Sequence, residues 1–252
     1  MNKIIIDNNK LVDYVDEYVI IKDNSITFIK DIGYIIEVVN TNLLDINIII
    51  KNSVSIKLFI YNINNNIDLR VKYMLGSNSR LLIYKFYNNV SSKVIEEVYL
   101  NGKDSEIDYR LSSVCRGIDD YKMKIYHNNI NVVSNVSNKC VGLDNSKVSF
   151  VIDSILEKGN TNCRMSQDTK IMCMGDVDAR IEPNMLIDED DVEARHGSVV
   201  GNFNYDNLFY LMSRGISEGD AVSLMIKGFI LSHLFLNLEY EERILNIIKD
   251  IC

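Results

Sequence analysis

The 252-residue sequence lacks the short motifs on which many enzyme active sites depend. It contains no G-x-x-x-x-G-K-[ST] phosphate loop, no G-x-G-x-x-G after a strand, no G-x-S-x-G elbow and no H-E-x-x-H pair. Histidine is also scarce, since only His127, His196 and His233 are present. These absences argue against nucleotide hydrolysis, dinucleotide binding, serine-type hydrolysis and zinc-dependent hydrolysis. We therefore expect that the chain by itself is not an enzyme.

Excess positive charge and long apolar runs are lacking as well. The net charge is −8 and the pI is near 5.0, whereas nucleic-acid binding depends on clustered Lys and Arg, so nucleic acid is not an expected partner. The first apolar run spans only residues 4–6, which predicts neither a signal peptide nor an anchor. The most apolar stretch, Ala221 to Leu236, is interrupted by polar residues and is shorter than a bilayer-spanning helix. We expect a cytoplasmic protein without membrane contact.

No C-x-x-C pair occurs among the five cysteines, Cys115, Cys140, Cys163, Cys173 and Cys252. An odd count without this spacing argues against a disulfide framework and against a self-contained zinc or four-cysteine cluster site. Free thiols in a reducing compartment are the expected state.

What the sequence does contain, from Lys3 to about Leu186, is a series of short apolar runs rich in Ile, Val and Tyr. They recur at roughly 8 to 14 residues and are separated by Asn, Asp, Ser and Gly, which indicates an all-β region. Sandwich, barrel and stacked β-solenoid all produce such a pattern. The Asn-rich breaks favour the solenoid, as does the scarcity of Asn-Gly hairpin turns, to which Asn101-Gly102 is the one clear exception. No strict repeat period can be extracted.

Helical spacing replaces the β pattern near the carboxyl terminus. The predicted helices are Asp206 to Arg214, Glu218 to Leu236 and about Glu239 to Ile251. In the first of them, the predicted apolar stripe consists of Leu208, Phe209, Leu211 and Met212. We divide the chain into a β core of residues 1–201 and a helical subdomain of residues 202–252.

Capping residues mark the helix boundaries. Asn204 and Asp206 can accept hydrogen bonds at the first helix start, Gly215 suits its left-handed end, and Ser217 with Asp220 opens the second helix. Such helices could cover the last rung of a solenoid, whose backbone groups would otherwise be unpaired. The single proline, Pro183, suits a rung corner or an edge strand because it lacks an N–H group.

Three blocks carry a family resemblance: D-D-V-E-A-R-H-G-S-V-V-G (Asp190 to Gly201), L-F-Y-L-M-S-R-G-I (Leu208 to Ile216) and A-V-S-L-M-I-K-G-F (Ala221 to Phe229). In order and spacing they resemble the carboxyl-terminal signature of the SufB/SufD family of the SUF iron–sulfur cluster assembly system. The His196-Gly197 pair is closer to the SufD pattern. The resemblance implies a right-handed parallel β-helix with carboxyl-terminal helices, and a non-catalytic assembly subunit.

The same resemblance selects candidate site residues. From the residues alone, His196 is an ordinary polar-loop histidine, but the matching SufD histidine lies at a subunit interface implicated in cluster assembly. The resemblance therefore implies that His196 meets iron or a transient iron–sulfur cluster there, with Glu193 beside it. Asp168 occupies the position at which SufB has a functional cysteine. Of the two nearby cysteines, Cys163 is expected to be the more exposed, and Cys173 is expected to lie in the core. Ala194 occupies the position of a SufB glutamate. The acidic run from Asp188 to Asp191 is expected to be a solvated corner.

Partners follow from the resemblance too. In the family the carboxyl-terminal helices dock the SufC ATPase, which selects Arg214, Gly215, Glu218, Gly228 and Phe229 as ATPase-binding candidates. Their simpler interpretation is a helix C-cap at Gly215 and close helix packing at Gly228. The expected second partner is a SufB-like chain or another copy of this chain, and no nucleotide is expected on this chain itself. Because the sequence starts almost directly with β runs, we do not expect the usual amino-terminal helical region of longer members, which is compatible with a compact homodimer.

One interpretation from another class stays open. Asp176 and Asp178 are two residues apart, so in a strand both carboxylates lie on one face, as in a β-helix enzyme that acts on carbohydrate. Solvated rung carboxylates are the commoner explanation of such a pair.

Overall fold

The computed structural model describes residues 2–251, in which strands occupy the chain as far as residue 202 and helices follow. The strands in chain order are β1 (Asn2–Asp7), β2 (Tyr14–Val15), β3 (Val19–Lys22), β4 (Ser25–Phe28), β5 (Ile32–Val39), β6 (Leu43–Ile50), β7 (Ser55–Asn62), β8 (Asn66–Leu75), β9 (Arg80–Tyr87), β10 (Ser91–Leu100), β11 (Glu106–Cys115), β12 (Ile118–His127), β13 (Val133–Gly142), β14 (Ser146–Leu156), β15 (Cys163–Cys173), β16 (Val177–Ile187) and β17 (Val192–Asn202). The helices are α1 (Tyr205–Ser213), α2 (Glu218–Leu231) and α3 (Leu238–Lys249).

From β5 onward the chain alternates between two parallel sheets, so that each rung contributes one strand to each sheet. Sheet A has the order β1-β5-β7-β9-β11-β13-β15-β17, and sheet B has the order β16-β14-β12-β10-β8-β6-β4-β3-β2. Every odd-numbered strand from β7 to β15 is hydrogen-bonded in parallel to the strands two before and two after it, and β5 pairs in parallel with β1. This arrangement is a parallel β-solenoid and confirms the predicted fold class, mostly β with carboxyl-terminal helices.

The rungs are unequal in length, which explains why the sequence shows no strict repeat. In sheet A, Ile56 pairs with Ile32, 24 residues earlier, whereas Met165 pairs with Ser134, 31 residues earlier. Most of the extra residues lie in longer strands, since β5 and β6 have 8 residues each whereas β13 has 10 and β14 has 11. A periodicity search over the whole sequence therefore averages over several different periods.

Asparagine is the residue that most often adopts the left-handed region of backbone space in the turns and corners. Positive φ angles occur at a set of corner residues that includes Asn8, Asn9, Asn24, Asn40, Asn78, Asn131, Asn145 and Asn162. Asn adopts this conformation more readily than other residues with a Cβ, because its short side chain can hydrogen-bond locally. The Asn-rich breaks in the sequence are thus the solenoid corners.

Asn101-Gly102, which the sequence offers as a hairpin turn, is a corner between the two sheets. A Cβ at Gly102 would lie 2.0 Å from the backbone nitrogen of Ser77 in the preceding rung. We expect Gly102→Ala to lower the free energy of unfolding by about 1–3 kcal/mol through overpacking, measured by urea denaturation. Gly219→Ala is the control, because a Cβ there meets no atom within 4 Å. Equal stability of both variants would show that this corner can relax.

Antiparallel pairing is confined to the amino-terminal end, where β2, β3 and β4 form a meander at the edge of sheet B. Asp23 and Asn24, with φ of 49° and 57°, form the turn between β3 and β4. Two left-handed residues in a two-residue turn are what a type I′ hairpin requires. The sequence pattern predicts solenoid rungs for this segment, whereas the structure has an antiparallel hairpin.

The solenoid lumen is filled by side chains that alternate inward along every strand. In β14 these include Val148, Phe150 and Ile152, all buried. Phe150 stacks on Tyr121 of the preceding rung with ring centroids 4.6 Å apart. Stacked identical or similar residues at the same ladder position give the interior its continuous packing.

The helices pack on the outer face of sheet A, and the prediction that they cover the last rung is wrong. An apolar strip on that face faces α2 and α3: Ile35, Phe59, Tyr61, Tyr84, Phe86, Val114 and Val141. The helices bury Ile226, Ile230, Leu234, Tyr240, Ile244 and Ile248 against it. The strip gives the helices a continuous apolar surface to pack on, and the hydrophobic effect scales with buried apolar area. The second helix ends at Leu231, five residues before its predicted end.

The predicted caps are present in the structure. The Asn204 side chain accepts a hydrogen bond from the Asn207 N–H at 3.0 Å, and the Ser217 side chain accepts one from the Asp220 N–H at 3.3 Å. Gly215 has φ of 87°, as a left-handed C′ residue should. None of the helices in residues 2–251 is long and apolar enough to cross a membrane.

Candidate functional site

The last rung, formed by β16 and β17, is open. Each of its strands is hydrogen-bonded on one side only, β16 to β14 and β17 to β15, and no further strand of residues 2–251 follows. Exposed apolar side chains lie on it, among them Leu186 (57%), Val199 (53%) and Val200 (49%). Pro183 is in the middle of β16, on the predicted edge strand. A long unprotected edge of this kind is a template for pairing with another chain.

His196 lies on the lumen side of β17. Its ladder partner is Gln167, which is buried, and Val192 on the same side of the strand packs against the solenoid core. Because no rung follows, the His196 side chain is exposed at the mouth of the lumen. Neither ring nitrogen has a hydrogen-bond partner within the described chain. The imidazole is therefore free to bind a metal ion with either nitrogen.

Cys163 is buried, which corrects the prediction of an exposed thiol. Its Sγ lies 3.2 Å from the carbonyl oxygen of Asn160, and burial raises the pKa of the thiol. The prediction rested on its polar neighbours, but adjacent residues of a strand face opposite sides, so Arg164 points outward and Cys163 inward. Cys173 is buried, as predicted. A protonated buried thiol is a poor metal ligand unless the rung opens.

Asp168 and Glu193 lie on the outer face of sheet A, opposite to His196. Asp168 pairs with Lys170 at 3.3 Å, and its ladder partner is Gly197. Glu193 is the ladder partner of Arg164. The structure thus separates the four candidates onto two faces. No group of three or more His, Cys, Asp or Glu that could hold a metal occurs in residues 2–251.

The acidic run between β16 and β17 forms a hydrogen-bonded corner. One Glu189 oxygen accepts from the Gly159 N–H at 2.8 Å, and the other accepts from the Asp190 N–H at 2.9 Å. Asp191 accepts from the backbone N–H of Asn162. Backbone hydrogen bonds, led by that from Gly159, lower the pKa of Glu189. These contacts favour the structural interpretation of the run.

The ATPase-binding candidates divide into two groups. Arg214 and Gly215 are exposed in the turn between α1 and α2, and Glu218 is exposed at the start of α2; the Arg214 guanidinium lies 5.1 Å from the Tyr210 ring. Gly228 is exposed, and a Cβ there would meet nothing within 4 Å, so it does not mediate close helix packing. Phe229 is half-buried and faces sheet A, with Lys139 Nζ 5.5 Å from its ring.

A patch on the outside of α1 and α2 was not singled out from the sequence. Of α1, only Leu208 is buried, so Phe209 and Met212 do not belong to an inward stripe. The exposed patch consists of Tyr205, Phe209, Tyr210, Met212 and Leu224. A signal was present, since α1 is apolar around most of its circumference and one face of a short helix cannot bury so many side chains. Contiguous exposed patches of this kind mark interaction surfaces.

A second feature missed from the sequence is a charged cluster inside the lumen. The Lys85 ammonium contacts the Glu96 carboxylate, and both side chains are nearly inaccessible to solvent. The hydroxyls of Tyr73 and Tyr109 also donate to Glu96. The signal was the position of Lys85 in L-L-I-Y-K-F-Y, where both faces of the strand are apolar, so a charged residue is buried whichever face it takes.

The two carboxylates considered for carbohydrate chemistry, Asp176 and Asp178, do not lie on the same strand. Asp178 is exposed on β16 and pairs with Lys147 at 2.6 Å, while Asp176 precedes the strand. Both side chains are exposed to solvent, whereas a carboxylate that acts as a general acid is sheltered from water. The arrangement favours solvated surface carboxylates.

Comparisons with known proteins converge on one family. The profile described as SUF system FeS cluster assembly, SufBD core domain, matches residues 62–229. The chain is 34% identical over 92 residues to the iron-sulfur cluster assembly protein SufD of Bacillus subtilis, a match that covers 35% of this chain and 21% of that protein. It is 28% identical over 137 residues to SufD of Escherichia coli, covering 52% and 31%.

A mycobacterial relative matches over a longer segment. The iron-sulfur cluster assembly SufBD family protein of Mycobacterium tuberculosis is 29% identical over 149 residues, which covers 56% of this chain and 18% of that protein. The chain thus spans less than a third of the length of each of these three relatives.

Proposed function

Because the chain belongs to the SufB/SufD family of iron–sulfur cluster assembly proteins, we propose that it is a SufD-like, non-catalytic subunit of an assembly scaffold. It pairs through its open last rung with a SufB-like chain or with a second copy. It presents its carboxyl-terminal helices to a SufC-type ATPase. Iron or a nascent iron–sulfur cluster is the cargo, and this chain binds no nucleotide.

The observation that carries the proposal is the open last rung. The amino-terminal edge of sheet B is shortened to the two residues of β2, whereas β17 presents an unpaired edge of 11 residues. Natural proteins blunt or cover edge strands that are not interfaces. A second chain that adds a strand along β17 would satisfy these backbone groups and cover Val199 and Val200.

The same interface explains why the metal ligands are incomplete. His196 stands alone at the lumen mouth, and the described residues contain no complete ligand set. A second chain would bring its own ligands to within reach of His196, so that iron is held only when the two subunits meet. Imidazole is a suitable iron ligand, and a site shared between chains can open when they move apart.

The ATPase is assigned to the patch of Tyr205, Phe209, Tyr210, Met212 and Leu224, with Arg214, Gly215 and Glu218 at its margin. Exposed aromatic side chains with an adjoining Arg have the composition of interaction hot spots. Gly228 is exposed on α2, whereas Phe229 contributes by packing α2 on sheet A. Through this packing, ATPase movement would reach the solenoid and its last rung.

The proposal is tested by co-expression with a SufC-type ATPase, followed by light-scattering mass with and without a SufB-like chain. We expect Val199→Lys to weaken chain pairing about tenfold or more, because it places a charge on the pairing edge. Ile118→Lys, also at an exposed apolar position but on the internal strand β12, should leave pairing unchanged. Pairing that survives Val199→Lys would exclude β17 as the interface.

Phe209→Ala tests the ATPase surface independently. We expect it to weaken ATPase binding about 30-fold, as truncation of an aromatic hot spot does, measured by calorimetric titration. Leu238→Ala, an exposed apolar position on α3, is the matched control. Wild-type ATPase affinity in Phe209→Ala would rule out the α1 patch.

A further inference from the structure

The proposed function leaves open how His196 is held, and the residue beneath it in the ladder supplies an answer. Gln167 is 2% exposed, and its Nε2 group donates within β14 and β16: to the Ser154 hydroxyl at 2.8 Å, the Asn184 carbonyl at 3.2 Å and the Ile152 carbonyl at 3.4 Å. Its Oε1 atom has no hydrogen-bond partner although it is buried. The carboxamide is anchored through its nitrogen and leaves an acceptor unused.

The ladder restricts what can satisfy this acceptor. Below Gln167 its partner is Val136, which has no side-chain donor, and above it is His196, whose ring nitrogens are unpartnered. In-register side chains of neighbouring parallel strands are within contact distance of each other. An N–H group of the imidazole is therefore the donor that the stacking places next to Oε1.

We propose that Gln167 is a positioning residue for His196: when the imidazole binds metal, the ring turns so that Gln167 Oε1 accepts a hydrogen bond from one ring N–H and the other ring nitrogen points out of the lumen toward the metal. This inference rests on the proposed role of His196. When a second chain covers the last rung, the bond satisfies both an acceptor and a donor that would otherwise be buried unpaired. Metal-bound imidazoles are commonly oriented in this way by a second hydrogen-bonding group.

The test uses the full chain labelled with 15N-histidine and zinc(II) as a diamagnetic probe. Long-range 1H–15N spectra report which nitrogen of each ring binds metal or carries a proton. The chain has only three histidines, and the other two serve as internal references because their partners assign their tautomers. Nδ1–H of His127 must donate to the Ile155 carbonyl. Nε2–H of His233 must donate to Ser112, whose own hydroxyl donates to Ile230.

In the wild type we expect zinc to occupy a single nitrogen of His196. In Gln167→Met we expect about tenfold weaker zinc binding, the usual loss on removing such a partner, and zinc on both nitrogens. Gln167→Glu keeps an oxygen acceptor and should retain the single-nitrogen pattern. If Gln167 only filled the lumen, methionine would be the better replacement and glutamate the worse. Wild-type affinity and nitrogen selectivity in Gln167→Met would overturn the inference.

His196→Ala separates this inference from the function on which it rests. If zinc binds His196→Ala as tightly as the wild type, the metal role of His196 itself is wrong, whatever Gln167 does. If His196→Ala loses the zinc site while Gln167→Met keeps it unchanged, only the positioning role fails.

Discussion

Replacing Lys85 with methionine is expected to lower the free energy of unfolding by about 3–5 kcal/mol, the usual cost of removing one partner of a buried ion pair. Lys85 is fully buried among the rings of Tyr73, Tyr87 and Tyr109, with its Nζ 4.7–5.8 Å from the ring centroids. Burial lowers the pKa of the ammonium, while the adjacent Glu96 carboxylate acts against that shift. Without Lys85, Glu96 is left as an uncompensated buried charge.

The measurement is urea denaturation of the single variant beside Lys85→Met/Glu96→Gln. The double variant should recover to within about 1–2 kcal/mol of the wild type, because glutamine is neutral, its oxygen can accept from one tyrosine hydroxyl and its NH2 group can donate to the other. Lys147→Met is the control, since it removes an exposed pair with Asp178 that is worth at most about 1 kcal/mol. If Lys85→Met and Lys147→Met cost the same, the cluster in the lumen is hydrated rather than sealed.

Acidification from pH 7.5 to 4.5 is expected to remove about 3 kcal/mol of stability through each of two buried histidines. Burial lowers the pKa of His127 from 6.5 to about 4. Burial, followed by the charges of Lys139 and Arg110, lowers that of His233 to about 3. Both rings are neutral in the folded state, so their contribution is present above pH 6.5 and is lost as the pH falls toward those folded values.

Besides Lys139 and Arg110, other groups near His233 act on its pKa or contact its ring. Asp108 raises the pKa of His233, whereas Lys170 lowers it, and the Ser137 hydroxyl lies 3.0 Å from the Nδ1 atom of His233.

Asp119 affects stability in the opposite direction: burial raises its pKa to about 6, so acidification to pH 4.5 returns about 2 kcal/mol of stability. The net loss is therefore smaller than the sum of the histidine contributions.

Urea denaturation at several pH values separates the histidines from the other groups. His127→Asn keeps a donor for the Ile155 carbonyl, and His233→Gln keeps one for Ser112, but neither replacement can be protonated in this range. Each variant should show a shallower dependence of stability on pH between 6.5 and 4.5 than the wild type. Superimposable pH profiles would mean that these rings take up protons without opening the fold.

Some features of the candidate site follow from the sequence and others do not, and individual residues show the physical reasons. The residues alone suggest that His196 lies in a polar loop, whereas the structure places it on the last strand, β17, and its role stays a prediction. The predicted exposure of Cys163 is wrong because it is inferred from the polar residues next to it in the sequence, whereas adjacent residues of a strand face opposite sides. Gln167 could not be selected at all, because its significance depends on a neighbour 29 residues away in the next rung.

What the sequence alone determined is what depends on local chemistry: β-branched runs make the strands, Asn residues with left-handed backbones make the corners, and Asn204, Ser217 and Gly215 bound the helices. Only the tertiary structure decided what depends on which distant residues meet. Strand and corner lengths together set how the rungs stack. The helices bury their apolar side chains against the apolar strip on sheet A, and the last rung, with His196 at the mouth of the lumen, is left open.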